Sequence, residues 1–564
     1  MEISADVLAQ RPWVAHYPPG VPSEIAPQPG MTLVEMWRRS RLAYGSRLAL
    51  ESFGTKLSYE QLGVAADLVA VSLQEAGLAK GDRVAIMAPN VMAYPAILLG
   101  ILQAGGVVVN INPLYTSREL ELQIVDSAPR FLFVLENFAA TVAAVADSLK
   151  LDRVVLVAPG DLLGAKGVMI NFISRWVKRA VPKLTLDKTV TFSSLLRAAR
   201  GKKPRAVPVS SDDLAVLQYT GGTTGSAKGA MLLHRNLVAN VEQSAAWWGT
   251  QLARREPPPV MVTALPLYHI FALTVCFWFQ MRIGGSCLLV ANPRDIPAFI
   301  KLLRKCRFNI FAGVNTLYNA LADHPDIAKV DFSNLLFSVS GGMATQASVA
   351  RKWRRITGKA IIEGYGLSET SPVLCSNLPS IEEFSGTIGY PFPSTEISIR
   401  NSAGEPVPMG EAGEICARGP QVMAGYWDRP VATQAVMTAD GFFRTGDVAM
   451  MLPDGQIKIV DRLKDIIIVS GFNVYPNEVE EVLAEHPKVR EAAVIGRPSD
   501  ATGEEVVAFV VPRGDGLTEN DLRHFCRERL TGYKMPREFI FRDELPKTNV
   551  GKVLRRNLKE SLSN

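Results

Sequence analysis

The sequence predicts an α/β protein: a large N-terminal domain with mostly parallel sheets covered by helices, plus a small C-terminal α+β domain. Three observations carry that expectation. Short apolar runs alternate with amphipathic stretches over most of the chain, the βαβ cadence of a parallel sheet. At 564 residues the chain is too long for one compact core. A charged junction, Asp461-Arg462-Leu463-Lys464-Asp465, then separates that cadence from a C-terminal stretch of different pattern.

Composition narrows the function classes. Apolar residues make up 48% and charged residues 21% of the chain, an ordinary globular balance that excludes disorder and repeat arrays. The formal net charge is +6 and the isoelectric point about 8.9. That mild basicity suits a polyanionic ligand or an anionic lipid surface, and is too diffuse to argue for nucleic acid. Cys276, Cys287, Cys306, Cys375, Cys416 and Cys526 show no CxxC pair or metal-ligand spacing, so a reduced, cytosolic chain is expected.

Taken in order, residues 1–30 read as an extended N-terminal arm on a domain surface, punctuated by Pro12, Pro18, Pro19, Pro22, Pro27 and Pro29. Its first ten residues lack a basic flank followed by an apolar core, so secretion is not indicated. Leu57 to Gln74 then predicts a helix, Arg83 to Met87 a strand, Ala93 to Gln103 a helix and Gly106 to Ile111 a strand. Phe131 to Leu135 and Val154 to Val157 continue the series. Ala93 to Ile111 and Ile270 to Val290 are apolar but interrupted by glycines and, in the second, by Gln280 and Arg282. Each reads as a buried helix running into a buried strand, not a membrane span. Past the junction, Asn477 to Glu485 and Glu519 to Leu530 predict helices, and Ala492 to Ile495 and Val506 to Val511 strands.

Lys166 to Lys183 stands apart. Met169, Phe172, Ile173, Trp176, Val177 and Ala180 recur at helical spacing, with Arg175, Lys178 and Arg179 off that stripe. Two placements fit: on an anionic membrane surface, or packed on the core with the basic face in water.

The stretch richest in chemistry is Tyr219-Thr220-Gly221-Gly222-Thr223-Thr224-Gly225-Ser226-Ala227-Lys228-Gly229. It follows the apolar run Leu214 to Leu217, a short buried strand, and precedes Ala230 to Val238, whose spacing predicts a helix after a turn. Glycines let backbone N–H groups approach a polyphosphate, and threonines and a lysine add donors and charge. A Walker A loop is excluded, since Gly229 follows Lys228 where Ser or Thr is required. Alone, the stretch equally describes a polar turn with a surface lysine.

The same holds for the remaining clusters one at a time. Leu265-Pro266-Leu267-Tyr268-His269 puts a histidine after a proline turn. Ser340-Gly341-Gly342 and Glu363-Gly364-Tyr365-Gly366-Leu367-Ser368-Glu369-Thr370 read as glycine turns after short strands, the second joining an aromatic face to a carboxylate. Thr445-Gly446-Asp447 and Lys547-Thr548-Asn549-Val550-Gly551-Lys552 are unremarkable alone.

Together and in this order, these motifs resemble the adenylate-forming superfamily of acyl-CoA synthetases, adenylation domains and luciferases. Asn112-Pro113-Leu114-Tyr115, Gly471-Phe472-Asn473-Val474-Tyr475-Pro476, Leu530-Thr531-Gly532-Tyr533-Lys534 and Gly551-Lys552-Val553-Leu554-Arg555-Arg556 resemble bacterial long-chain fatty-acid–CoA ligases in particular. The resemblance implies attack of a fatty-acid carboxylate on the α-phosphorus of ATP, giving acyl-AMP and pyrophosphate, and then transfer to CoA. It implies that Tyr219, Thr220, Gly221, Gly222, Thr223, Thr224, Gly225 and Lys228 hold the phosphates. Thr220 and Glu369 would bind Mg²⁺, whose preferred ligands are hard oxygens. Gly341, Gly342, Glu363, Gly364, Tyr365 and Gly366 would flank adenine, and Asp447 with Arg462 the ribose. Lys552 would bridge the carboxylate and α-phosphate, with Lys228 and His269 as further catalytic residues. It also implies domains at 31–461 and 466–564 around a hinge at 462–465. The small domain would be mobile, swinging at Lys464 to exchange Lys552 for a CoA tunnel at Gly471.

Other readings remain at this point: a fatty-acyl-AMP ligase, transfer to a carrier protein, or a non-catalytic lipid-binding protein. Against them, no extra insertion is evident, no carrier module appears before Asn564, and Lys228, Glu369, Asp447, Arg462 and Lys552 are all in place. The expected partners are fatty acid, ATP, CoA and a peripheral membrane contact through 166–183. A homodimer is compatible with the sequence.

Overall fold

Runs of apolar, β-branched residues form the central strands, because a parallel sheet covered on both faces leaves no solvent side for alternation. A computed structural model describes residues 11–26, 28–182, 188–220, 227–249, 252, 255–499, 501–548 and 551–562; among these the strands form four sheets. The first runs in the order Thr189–Thr191, Arg153–Val157, Phe131–Leu135, Arg83–Met87, Val107–Asn110, Leu214–Thr220 and Lys228–Leu233. Its neighbours are parallel except the last, which turns back on Leu214–Thr220.

The second sheet runs Tyr390–Pro391, Val373–Ser376, Ile361–Gly366, Phe337–Ser340, Ile310–Gly313, Val260–Thr263, Ser286–Leu289, Leu48–Ser52 and Thr55–Ser58. It is parallel from Ile361–Gly366 to Leu48–Ser52 and antiparallel at both ends. A third, antiparallel sheet comprises Glu396–Arg400, Ala412–Arg418, Phe443–Met451 and Ile457–Arg462. The fourth is built round the hairpin of Val489–Ser499 and Gly503–Pro512, with Ile467–Val469, Phe472–Val474 and the parallel strand Glu538–Phe541. Its helices Pro476–Glu485 and Glu519–Arg527 enclose a separate core of Val479, Leu483, Val494, Ala508 and Leu522.

The two ambiguous apolar segments are as expected. Ala93–Gln103 is buried along almost its whole length and leads into Val107–Asn110. Ala272–Trp278, wound as a π-helix, continues as Phe279–Ile283 and leads into Ser286–Leu289. No helix among the described residues is long and apolar enough to cross a membrane.

Several expectations need correction. Residues 230–238 do not begin a helix: Lys228–Leu233 is a strand and the helix is His234–Trp248. Lys228–Leu233 pairs antiparallel with Leu214–Thr220, so the Gly-rich stretch connects two neighbouring strands, and Ala230 and Leu232 are buried while Met231 between them is half-buried. Leu57 and Ser58 belong to a strand, and Ser58 caps the helix Tyr59–Glu75. Gly364 to Gly366 lie in a strand, where they pair with Val373–Ser376. The arm is not merely extended: Pro12–His16 forms a 3₁₀ turn that buries Trp13, and Tyr17 Oη donates to Pro391 O at 2.6 Å. Residues 1–10 and Pro27 lie outside the described residues.

Candidate active site

The C-terminal ends of parallel strands share one edge of a sheet, and loops leaving that edge form ligand crevices in α/β folds. Here the edges of both large sheets are tied together by buried amides. Asn90 donates to the carbonyls of Thr263 and Leu265, both at 2.9 Å, and accepts from Leu267 N at 2.8 Å. Tyr94 Oη donates to Asn110 Oδ1 at 2.6 Å, and Gln218 Nε2 to Tyr268 O at 3.1 Å. These contacts fix the turn that carries His269. Burial pushes the imidazole down to about 4, with Lys552 adding to the effect, so His269 is neutral at pH 7. Its Nδ1 accepts from Phe271 N at 3.4 Å, which leaves the proton on Nε2.

A second group assembles round Glu369. Its carboxylate is buried and accepts from Tyr426 Oη at 2.8 Å. Tyr426 is bridged to Ala230, and Lys228 Nζ lies 5.1 Å from the centre of its ring. Burial pushes the Glu369 carboxyl up, and no ion pair neutralises it among the described residues. Thr220 lies on the same strand two residues from Gln218, so their side chains share a face. A buried carboxylate with no paired cation among the described residues fits a hard cation such as Mg²⁺, which needs few protein ligands when phosphates supply the others, and the Thr220 hydroxyl at the end of its strand is of the same hard-oxygen type.

The third group links the second and third sheets. Tyr365 Oη donates to Asp447 Oδ2 at 2.8 Å, and Arg462 Nε pairs with Asp447 Oδ1 at 3.2 Å. Asp447 and Arg462 are directly opposed on neighbouring strands, so the sheet register itself makes the pair. Gly341 lies against Gly364 O and the Phe271 ring, where an added Cβ would sit 3.0 and 3.2 Å away. Glu363 is buried, accepts from Thr345 N at 3.2 Å, and is pushed up to about 8 by desolvation.

Lys552 completes the arrangement from the far end of the chain. Its loop is closed by a bridge between Lys547 and Val553, and an added Cβ on Gly551 would lie 2.3 Å from Thr316 Oγ1. Burial pushes the lysine down to about 8; nearby Arg462 acts the same way and Asp447 opposes it. The cation therefore sits within electrostatic reach of His269, Asp447 and Arg462 together.

Against known proteins, residues 37–427 match the AMP-binding enzyme family and 478–552 the AMP-binding enzyme C-terminal domain. The chain belongs to the AMP-binding enzyme family. It is 48% identical over 553 residues to the long-chain-fatty-acid–CoA ligase of Escherichia coli O6:H1, covering 97% of this chain and 98% of that one. The corresponding ligase of Bacillus subtilis is 37% identical over 558 residues, 98% of each chain. Among solved structures, ATP-bound MatB from Rhodopseudomonas palustris superposes with a TM-score of 0.81 at 30% identity, covering 95% of this chain and 99% of that one.

Within this member of the AMP-binding enzymes, not every expected residue converges. Gly221, Gly222, Thr223, Thr224 and Gly225 lie outside the described residues. The Tyr219 side chain points away, into the sheet core, where Oη donates to Asp126 Oδ2 at 2.6 Å. Lys464 is exposed in the 3₁₀ turn Leu463–Asp465. Gly471 is at the tip of an exposed hairpin with φ +83°, a backbone conformation that favours glycine. Sequence reasoning missed Tyr426, Phe271 and the Asn90–Tyr94–Asn110–Gln218 scaffold. Tyr426 sits in Gly425-Tyr426-Trp427, and a tyrosine beside a glycine gives no local sign of its partner Glu369.

Proposed function

We propose that this chain is an ATP-dependent long-chain-fatty-acid–CoA ligase working in two half-reactions. In the first, a carboxylate oxygen attacks the α-phosphorus, the bond to the β-phosphate oxygen breaks, and acyl-AMP and pyrophosphate form. In the second, the CoA sulfur attacks the acyl carbonyl, AMP leaves, and the thiol proton passes to solvent. The carrying observation is Lys552, delivered from the C-terminal tail to the neighbourhood of His269, Asp447 and Arg462.

Negative charge converges on the α-phosphate during adenylation, and a cation already in place stabilises it without reorganisation. Lys552 is that cation. Neutral His269 with its proton on Nε2 donates a hydrogen bond toward the carboxylate end of the acyl chain. Asp447, its two oxygens oriented by Tyr365 and Arg462, accepts from ribose hydroxyls, and the Tyr365 ring flanks the base. Gly341, Gly342, Glu363, Gly364 and Gly366 line the adenine side. Tyr219 (through its backbone), Thr220, residues 221–225 and Lys228 hold the phosphates. Thr220 and Glu369 would hold Mg²⁺, which screens phosphate charge when bound.

The second half-reaction needs a different neighbour for the same adenylate. Residues 31–461 and 466–564 would act as two domains with a hinge at 462–465. Turning at Lys464 withdraws Lys552 and brings the Gly471 hairpin to the thiol path. We read the enzyme as cytoplasmic and peripherally membrane-associated through 166–183, of which Lys183 lies outside the described residues. A homodimer is compatible with this reading.

Pyrophosphate release with palmitate, with and without CoA, tests it. Turnover should require CoA, with acyl-CoA and AMP formed in equal amounts. Accumulation of acyl-AMP regardless of CoA would mark a fatty-acyl-AMP ligase, and no pyrophosphate release a binding protein.

A further inference from the structure

The helix Gly164–Phe172 and its continuation Ile173–Val177 are built inside out. Against the protein they set small and polar groups: Gly167 touches Gly160 so closely that an added Cβ would lie 2.0 Å from its carbonyl oxygen. Asn171 Oδ1 accepts from Gly160 N at 2.7 Å, and Asn137 Nδ2 reaches Ser174 Oγ at 3.3 Å. Arg175 pairs with buried Glu136 at 2.7 Å. Toward solvent the same helix turns Val168, Met169, Phe172, Trp176 and Val177, each more than half exposed. A helix packed for stability alone would place these groups the other way round.

A second segment joins the patch. The tip of the hairpin Leu48–Ser52 and Thr55–Ser58 abuts the helix, with Lys166 Nζ donating to Phe53 O at 3.0 Å. Phe53 is exposed and has φ +49°, followed by Gly54 at +72°. A two-residue turn with both φ values positive is relaxed with Asn or Gly first, and a bulky aromatic there is strained. The rim is basic: Lys166, Lys178 and Arg179 are exposed, and no acidic residue lies between Asp161 and Asp187.

We propose that Phe53 and the outer face of 164–177 form one composite surface that docks on an anionic lipid bilayer. The aromatics enter the headgroup–acyl boundary, and Lys166, Lys178 and Arg179 meet lipid phosphates. Arg175 is not part of this contact; it holds the helix through Glu136. The helix leaves the same sheet edge as the C-terminal end of Leu214–Thr220, four strand spacings or roughly 19 Å along. The inference deepens the membrane reading above and is tested separately from ligation.

The test uses the full chain without substrate, with vesicles of phosphatidylcholine and phosphatidylglycerol mixed seven to three. Of the eight tryptophans, Trp176 is the exposed one, at 65%, so brominated lipid should quench its emission selectively and Trp176→Phe should lose that quenching. The pair Phe172→Gln, Trp176→Gln should lower partitioning about tenfold or more. Lys166→Glu, Lys178→Glu, Arg179→Glu should lower it by about a hundredfold and remove its salt dependence. Phe53→Asn should weaken binding while raising Tm, a pairing that a purely structural residue would not show. Leu42→Gln, at a still more exposed apolar site elsewhere, should change nothing. Unquenched emission overturns the proposal, as does equal loss with Leu42→Gln, or self-association through this face without vesicle binding. Ligation of a soluble short-chain acid, measured without vesicles, reports on the enzyme reading independently.

Discussion

Replacing Lys552 by alanine should divide the two half-reactions. Its ammonium lies where Arg462, Lys464 and Asp447 compete electrostatically, and burial has already removed much of its water. A unit charge about 4 Å from developing phosphate charge, at an effective dielectric near 20, is worth about 4 kcal/mol, or roughly a thousandfold in rate. Acyl-AMP formation should fall by about that factor, while thioester formation from supplied acyl-AMP should be nearly unchanged. The pH profile supplies a second, independent check. Because the lysine titrates at about 8 in the free protein, its active, protonated form is lost as pH rises through that value. The kcat/KM for adenylation should therefore drop about tenfold per pH unit above 8. Bound ATP is polyanionic and favours the ammonium, so kcat should hold to higher pH. Lys552→Arg should flatten the profile, since guanidinium does not titrate in this range. Quench-flow measurement of acyl-AMP, with circular dichroism to verify folding, decides the matter. Equal loss in both half-reactions with the fold intact, or a flat wild-type profile to pH 9.5, would refute the role given to Lys552.

Two further changes probe the rest of the site. Glu369→Gln should raise the Mg²⁺ concentration needed for half-maximal activity at least about tenfold with little change in fatty-acid binding, because one anionic ligand is lost. Tyr426→Phe removes one hydrogen bond to the same carboxylate and should shift that titration the same way by about fivefold; a normal titration in both variants would exclude the metal role. Lys464→Pro should spare adenylation and block CoA transfer, since a fixed φ restricts the backbone at Leu463–Asp465. An unchanged overall rate would place the hinge elsewhere.

What was legible in the sequence was what local pattern determines. Four-to-five-residue apolar runs became the parallel strands at 83–87, 131–135 and 154–157 because burial on both faces demands such runs. Where two elements share composition, pattern failed. Ala230 to Val238 spans the end of a strand and the start of a helix, and only pairing with Leu214–Thr220 divides them. Site residues such as Lys552 and Asp447 were found through ordered motifs, not through spacing. The contacts that orient them were invisible, since Tyr426 lies 57 positions from Glu369 and Tyr365 lies 82 from Asp447. The 164–177 helix shows the same limit from the other side: its stripe was plain, but which face met the protein depended on Gly160 and Glu136, both outside the stretch.

The contacts around the joint that carries Lys552 fit the withdrawal proposed for it. Asp461, almost wholly buried, accepts from Arg462 N at 2.7 Å and from Asn477 N at 2.8 Å, the latter at the start of the helix Pro476–Glu485. Burial pushes its carboxyl up to about 6, so it remains ionised at neutral pH beside a helix N-terminus. Arg555 ties the tail to the same joint through Glu480 at 2.7 Å and Asp465 at 3.4 Å. Apolar surfaces pressed together would resist separation by the whole of their buried area. Hydrogen bonds to backbone N–H groups can instead be exchanged for water at about 1 kcal/mol each. The two apolar cores on either face of this sheet draw only on residues from Ile467 onward, Val479, Leu483, Val494 and Leu522 on one face and Ile495, Phe509, Leu545 and Leu558 on the other. In the proposed cycle the joint at Asp461 can therefore open for CoA transfer and re-form for the next adenylation while those cores stay intact.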